Sequence, residues 1–331
     1  MGLPSPLPPS VLRPDGPIRV GISSCLLGEP VRWDGNHKRD AFIVGTLARD
    51  FTFVPVCPEV AIGLGVPRPP LQLVASGPSG RGLRAIGVAA DGLDVTERLA
   101  AFGRSAAAEL EDISGYLLKS DSPSCGMTRV KVYRRGGGRP VRRGVGIYAQ
   151  ALLAARPELP VEEEWRLAVV ALREGFVECV VALRRWQMLE RLGLTHGRLA
   201  AFHAAHRLSL LAHGKGRSEA LERLVAQPGR PLEALAGRYL REFMAALRRP
   251  GTLARHAGVL ATVAAQLEGV LDGRERAEVA GVIAAYRQGR VPLGVPLALL
   301  GGHGRRRPHP ILDGQVYLNP HPAEQAVREG A

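Results

Sequence analysis

The chain has 331 residues, long enough for two domains that each bury a core, and 46% of them are apolar while 5% are aromatic. This composition suits a globular, helix-rich protein and excludes a disordered or collagen-like one. The formal charge of +13 comes from 44 basic residues, of which only Lys38, Lys119, Lys131 and Lys215 are lysine; such a balance attracts phosphates, although its Arg excess also matches a GC-rich coding bias.

Met1 to Asp15 is Pro-rich and lacks the apolar run of a signal peptide, so residues 1–16 read as a disordered leader. Every long apolar stretch is interrupted by Arg or Glu before reaching about 18 residues, which predicts no membrane span. The expected location is the cytoplasm, with the four cysteines reduced rather than paired. From Pro17 to Arg185 short apolar runs alternate with helical ones. Ile18–Ser23, Phe51–Val56 and Ile113–Leu118 read as buried parallel strands, and Val95–Asp112 and Val161–Leu172 as helices. Beyond Leu189 amphipathic segments follow one another at Thr195–Ala212, Ser218–Ala226, Pro231–Leu247, Leu253–Val270 and Gly273–Arg287. The Pro- and His-rich stretch Pro292–Pro322 is expected to wrap the surface without regular structure. The fold class is therefore an α/β N-terminal domain with a mainly parallel sheet (17–185), followed by an all-α helical-bundle domain (190–322).

Cys25, Cys57 and Cys125 each follow one of the β-like runs, in stretches rich in Gly, Pro or Ser. In an open α/β sheet functional groups gather at the carboxyl ends of strands, so three thiols distant in sequence can converge there on one metal centre. A lone cysteine is more often a small buried hydrophobe, but loops such as Cys57-Pro58-Glu59 and Lys119-Ser120-Asp121-Ser122-Pro123-Ser124-Cys125-Gly126 are poor places for core residues. The 31 and 67 intervening residues match no compact zinc or ferredoxin spacing. Cys179, inside a helical pattern running to Trp186 and Leu189, reads as packing.

His196, His203, His206 and His213 fall within about 100° of arc if their helix is continuous, a face that suits metal, phosphate or a pH switch. Leu199, Phe202 and Leu210 share that stripe, which favours packing histidines. His303, His309 and His321 are candidates to join them. Arg134, Arg135, Arg139, Arg142 and Arg143 surround a Gly-rich turn, and Arg305 to Arg307 form a second basic run; both read as solvated faces that offer a possible RNA contact.

The segments Ser23-Ser24-Cys25-Leu26-Leu27-Gly28, Val31-Arg32-Trp33-Asp34-Gly35, Val54-Pro55-Val56-Cys57-Pro58-Glu59 and Ser122-Pro123-Ser124-Cys125-Gly126 together resemble the thiouracil desulfidase (TudS-like) family over about residues 17 to 160. Trp33, where Tyr is common, and Asp121 depart from its familiar form. Phe202-His203-Ala204-Ala205-His206, Tyr286-Arg287-Gln288-Gly289 and Tyr317-Leu318-Asn319-Pro320-His321-Pro322 resemble the YbgA family of helical domains, a resemblance that names no chemistry.

The first resemblance implies a [4Fe-4S] cluster on Cys25, Cys57 and Cys125 with one iron open, and removal of sulfur from a thiolated pyrimidine base or nucleotide, C=S becoming C=O with release of sulfide. Such chemistry needs a proton carrier, for which Glu59 is the first candidate, with Ser122 or Ser124 orienting substrate or water; Asp34 and Asp121 are others. A cap or turn role fits the serines equally well. Two other readings compete. One is a non-enzymatic protein, stabilised by a cluster or zinc, that binds nucleic acid or regulates; a fourth ligand from Cys179 or a histidine would favour it. The other is thiol redox chemistry, which wants an acidic thiol or a close cysteine pair. The sequence leaves the oligomeric state open.

Overall fold

In the computed structural model, which describes residues 6–76, 82–88, 92–134, 139–227, 229, 231–307, 312 and 314–328, the Pro-rich leader already carries a helix, α1 (Pro9–Leu12). Composition alone predicts disorder there, but Leu7 and Val11 are buried and the Leu12 carbonyl accepts a hydrogen bond from Arg185 Nε (2.9 Å). Two apolar anchors suffice to order a segment whose prolines have little backbone entropy to lose. The chain divides into two compact units, one of Pro17–Val169 and one of Met1–Gly16 with Val170–Ala331.

The first unit is α/β. Its elements are β1 (Ile18–Ser23), α2 (Ala41–Gly45), β2 (Phe51–Val56), α3 (Pro58–Ala61), β3 (Leu71–Ser76), β4 (Gly82–Gly87), α4 (Thr96–Glu109), β5 (Gly115–Leu118), β6 (Val130–Tyr133), β7 (Val141–Gly144), α5 (Ile147–Ala155) and β8 (Val161–Glu163). Strands β2-β1-β5-β8 form one sheet, parallel throughout, with Ile18 opposite Phe51 and Val20 opposite Gly115. Ile18, Val20 and Ile22 are fully buried, as the near-continuous apolar run of a central parallel strand requires. Gly21 lies under the Tyr116 ring of β5: a Cβ there would stand 2.4 Å from Tyr116 Cδ2. The Tyr116 hydroxyl meets that of Tyr148 on α5 at 3.1 Å.

A second sheet, ordered β4-β3-β6-β7, is absent from the sequence reading; its outer pairs are antiparallel and its central pair parallel. The expected helix Val161–Leu172 also differs. Its first residues pair with β5 as β8, Glu164–Ala168 make a 3-10 turn, and the regular helix starts only at Val170. Pairing with β5 outweighs local helix preference over so short a segment.

The second unit is helical: α1 with α6 (Val170–Leu192), α7 (His196–Ala205), α8 (Arg207–His213), α9 (Lys215–Val225), α10 (Leu232–Leu247), α11 (Leu253–Leu267), α12 (Gly273–Arg287), α13 (Gly294–Arg306) and α14 (Pro322–Arg328). Caps stand where the sequence punctuates. Thr195 Oγ1 accepts from Arg198 N–H (3.1 Å), and Asp272 and Glu275 form a capping box. Trp186, Phe202, Tyr239 and Phe243 stack and cross at 5.3 to 6.3 Å in the interior, and Cys179 is buried, as its helical context predicts. The tail expected to be irregular contains α13, whose Leu297 and Leu300 join a core with Tyr317 and Leu318. Its Leu spacing at i, i+3 outweighs the surrounding Pro and Gly.

The run Thr195–Ala212 is broken in two at His206, where α7 ends and α8 starts. Its histidines accordingly meet different partners. His203 Nδ1 faces Tyr239 Oη (3.2 Å), His206 Nδ1 faces the Phe202 carbonyl (2.8 Å), and His213 Nε2 faces Glu178 Oε2 (3.1 Å). His303 lies beside Glu275, His321 Nδ1 accepts from Ala323 N–H, and His309 lies outside the described residues. Among the described residues no three His, Cys, Asp or Glu side chains come close enough to share one metal ion.

Candidate active site

The carboxyl ends of β1, β2 and β5 point to one cleft of about 470 Å³, and Cys25, Cys57 and Cys125 all line it. Cys25 sits in the 3-10 turn Ser24–Leu27 directly after β1, closed by Gly28 at φ +103°. Cys57 precedes α3, where Pro58 opens the helix and leaves the thiol at the strand end; its Sγ lies 3.8 Å from the Val31 carbonyl. Cys125 is carried by the loop after β5. Ser122 Oγ accepts from the N–H groups of Ser124 (3.2 Å) and Cys125 (3.0 Å), an ST-type turn. The Pro123 and Ser124 carbonyls accept from Ile147 and Ala149 at the start of α5. Gly146 permits that contact, since a Cβ there would stand 2.5 Å from Ser124 O.

None of these three cysteines forms a disulfide. Burial pushes the Cys25 thiol up to about 11 although Arg32 and Lys119 pull it down. Burial likewise raises Cys57, and raises the fully enclosed Cys125 well above the usual thiol range. Burial thus favours the protonated form of all three thiols of the cleft, against the acidic thiol that is one of the two features a thiol redox reading wants.

Glu59, on the first turn of α3, is held from two sides. Arg68 Nε donates to its Oε2 (2.8 Å) and Ser124 Oγ donates to its Oε1 (2.8 Å). Arg68 is itself buried, with its remaining nitrogens on the Gly65 and Val31 carbonyls at 2.8 Å each. Ser124 is fully buried and turned to Glu59, whereas Ser122 and Glu59 reach the cleft. Asp121 lines the cleft rim and pairs with Arg142 (2.6 Å); Asp34 caps its own turn by accepting from Asn36 N–H (3.1 Å).

The cleft also gathers Arg32, Trp33, Lys38 and Lys119. Lys119 is paired with Glu164, whereas Arg32 has Asp34 at 3.8 Å and its buried Nε has no hydrogen-bond partner among the described residues. Arg68 and Glu164 are missed by the sequence reading. The available signal for Arg68 is one charged side chain among Pro67, Pro69 and Pro70, in a loop that has no other use for it. Of the basic clusters, Arg134, Arg139, Arg142 and Arg143 are exposed, and Arg307 pairs with Glu275 (2.9 Å); Arg135 lies outside the described residues.

Residues 20–164 match the model of the 2-thiouracil desulfurase family, and residues 207–322 match that of a protein family of unknown function, DUF1722. The uncharacterized protein YbgA of Escherichia coli (strain K12) is 29% identical over 141 residues, which cover 42% of this chain and 83% of YbgA. A solved structure titled [4Fe-4S]-dependent thiouracil desulfidase TudS is 33% identical, covering 47% of this chain and 96% of that one, with a TM-score of 0.37. Residues 207–322 match the DUF1722 model, and the cleft with its three thiols lies in residues 20–164, the region that belongs to the 2-thiouracil desulfurase family.

Proposed function

We propose that this chain removes sulfur from a thiolated pyrimidine base or nucleotide, with a [4Fe-4S] cluster held by Cys25, Cys57 and Cys125. The observation that carries the reading is the meeting of three strand-end thiols and a buried Glu59–Arg68 pair in one cleft. The donor set fits the group. A single tetrahedral zinc would draw its thiolates to within about 2.3 Å of one point, and these thiols line one cleft without converging closely enough for one ion, which suits a larger multi-iron cluster better. The orphaned Arg32 Nε suits a cluster that its three thiolates make anionic, and the phosphate of a nucleotide substrate.

The overall conversion is a hydrolysis: a thiocarbonyl and water give a carbonyl and hydrogen sulfide, with no net transfer of electrons. When bound, the cluster supplies an iron without a protein ligand, a thiophilic Lewis acid for the thiocarbonyl sulfur. Glu59 takes the proton of the attacking water and returns it to the ring nitrogen or the departing sulfide. Each of its oxygens keeps a lone pair beside the bonds from Arg68 and Ser124. Ser124 acts by fixing Glu59, and Ser122 by shaping the turn that presents Cys125. Arg32 and Lys38 offer positive charge to a nucleotide phosphate. Reduced thiols of this kind persist in a reducing compartment, and we place the activity in the cytoplasm.

The test is to purify the protein without oxygen, quantify iron and acid-labile sulfide, and follow sulfide release from 2-thiouracil and 4-thiouridine monophosphate, with Cys125→Ala as control. About four irons per chain, and sulfide release lost in Cys125→Ala, support the reading. Bound zinc, or a full cluster inert toward both compounds, sinks it and favours the non-enzymatic binding protein.

A further inference from the structure

Glu163 and Glu164 are adjacent at the end of β8, so their side chains leave the backbone in opposite directions. Glu164 turns to the start of the Cys125-bearing loop. Its carboxylate accepts from Ser120 N–H (2.8 Å) and Ser120 Oγ (2.6 Å) and pairs with Lys119 Nζ, which also donates to Ser120 Oγ (2.8 Å). Glu163 turns to the loop's far end. Its Oε1 accepts from Met127 N–H (2.8 Å) and Thr128 N–H (3.2 Å), and its Oε2 from Thr128 Oγ1 (3.2 Å) and Trp165 Nε1 (2.8 Å). Glu163 is 1% exposed. A buried carboxylate that accepts this many bonds is costly to place, and its four donors would be stranded without it.

We infer that Glu163 and Glu164 are positioning residues that clamp both ends of the segment Ser120–Met127 and thereby set where Cys125 Sγ stands relative to Cys25 and Cys57. Neither carboxylate is needed as a proton carrier. β5 ends at Leu118, seven residues before the thiol, so strand pairing alone leaves Cys125 unregistered. β8 pairs with β5 through Leu118 opposite Glu163, which places both carboxylates level with the point where the loop departs. The sheet thus anchors the two ends of a loop whose middle rests on α5 and Glu59.

The test has one arm independent of the desulfidase reading and one that rests on it. In the first, Glu163→Gln and Glu164→Gln are made in the full chain and followed by backbone hydrogen exchange and by alkylation of the three thiols in metal-free protein. Losing one or two charge-assisted bonds should speed exchange in the peptide covering 119–128, and Cys125 alkylation, by roughly tenfold or more while Cys25 and Cys57 are unchanged. Rates equal to wild type, or an equal rise in β1 and α4, overturn the clamp. Where Glu163→Gln does not fold, Thr128→Val and Ser120→Ala remove donors from the opposite side and should give a smaller acceleration confined to the same peptide. In the second arm the reduced, cluster-loaded variants are compared by electron paramagnetic resonance at equal iron content. A changed g-tensor supports ligand positioning, and an unchanged one overturns it. A wild type that takes up no iron overturns the desulfidase reading and leaves the first arm to decide.

Discussion

Glu59 and Arg68 form an ion pair whose side chains are only 13% and 5% exposed, so each depends on the other. Glu59→Gln leaves the guanidinium without its counter-charge, a loss of roughly 3–5 kcal/mol for a buried pair broken on one side. It should also lower kcat for sulfide release by about 10²- to 10⁴-fold as the proton carrier is removed. The double variant Glu59→Gln/Arg68→Met separates the two effects: its urea midpoint should recover toward wild type while kcat stays low. Recovery of both would remove Glu59 from the chemistry. Glu59 is legible in the sequence because it stands two residues from a candidate ligand. Arg68 is not, because no periodicity marks a loop residue whose partner lies nine positions away and whose bonds go to backbone carbonyls.

β1 and β2 stand where the apolar runs place them, to the residue; β1, buried on both faces, is written in local composition, and β2 keeps its apolar run although it is the partly exposed edge strand. The second sheet is not legible in that way. β6 alternates over only four residues, and β7 does not alternate, with Arg142 and Arg143 exposed, so that strand exists through its partner rather than its own pattern. β8 is three residues long and reads as helix until β5 is beside it. The histidine stripe fails for a related reason: the break at His206 involves neither Pro nor Gly, and its N–H is shared by the Phe202 (3.2 Å) and His203 (3.1 Å) carbonyls. At this scale the most sensitive contact is that of Gly21 with the Tyr116 ring. Gly21→Ala should cost about 1–3 kcal/mol through overpacking between β1 and β5. Denaturant melts of the full chain with a probe in the α/β unit check it, and an unchanged midpoint would mean that the ring moves freely aside.

The helical unit encloses an unusual number of ionisable groups, and these make its stability depend on pH. Burial lowers His206 to about 3, helped by the charge of Arg185, and lowers His256 to about 4 against the pull of Glu178. Burial would raise Glu178, but His213 and Arg328 outweigh it and hold the carboxyl well below its usual range. For His206 and His256 the unfolded chain binds more protons in acid, so stability present above the unfolded value is lost as pH falls from about 6.5, whereas for Glu178 the loss begins only near 4.5. His213 runs the other way. Burial lowers it but Glu178 raises it further, so its contribution is complete below about 6.5 and fades as pH rises through the folded value. His203, also lowered by burial, joins His206 and His256, and these three against His213 predict a Tm for this unit that falls between about pH 7 and pH 5, and a shallower fall in His256→Gln. An equal slope in that variant would show that His256 is already charged in the folded state.

The parallel order β2-β1-β5-β8 has a consequence for biogenesis. Each neighbour of β1 lies downstream, β5 about a hundred residues later, and β5 is completed by a strand that ends at Glu163. Pairings this remote in sequence close slowly. While the chain emerges from the ribosome Cys25 and Cys57 are therefore present long before Cys125 has a strand to follow, and no three-thiol cradle exists. Under the proposed cluster, iron delivery should act on a finished α/β unit rather than a nascent one, and a ribosome-bound chain stalled before residue 163 should retain no iron.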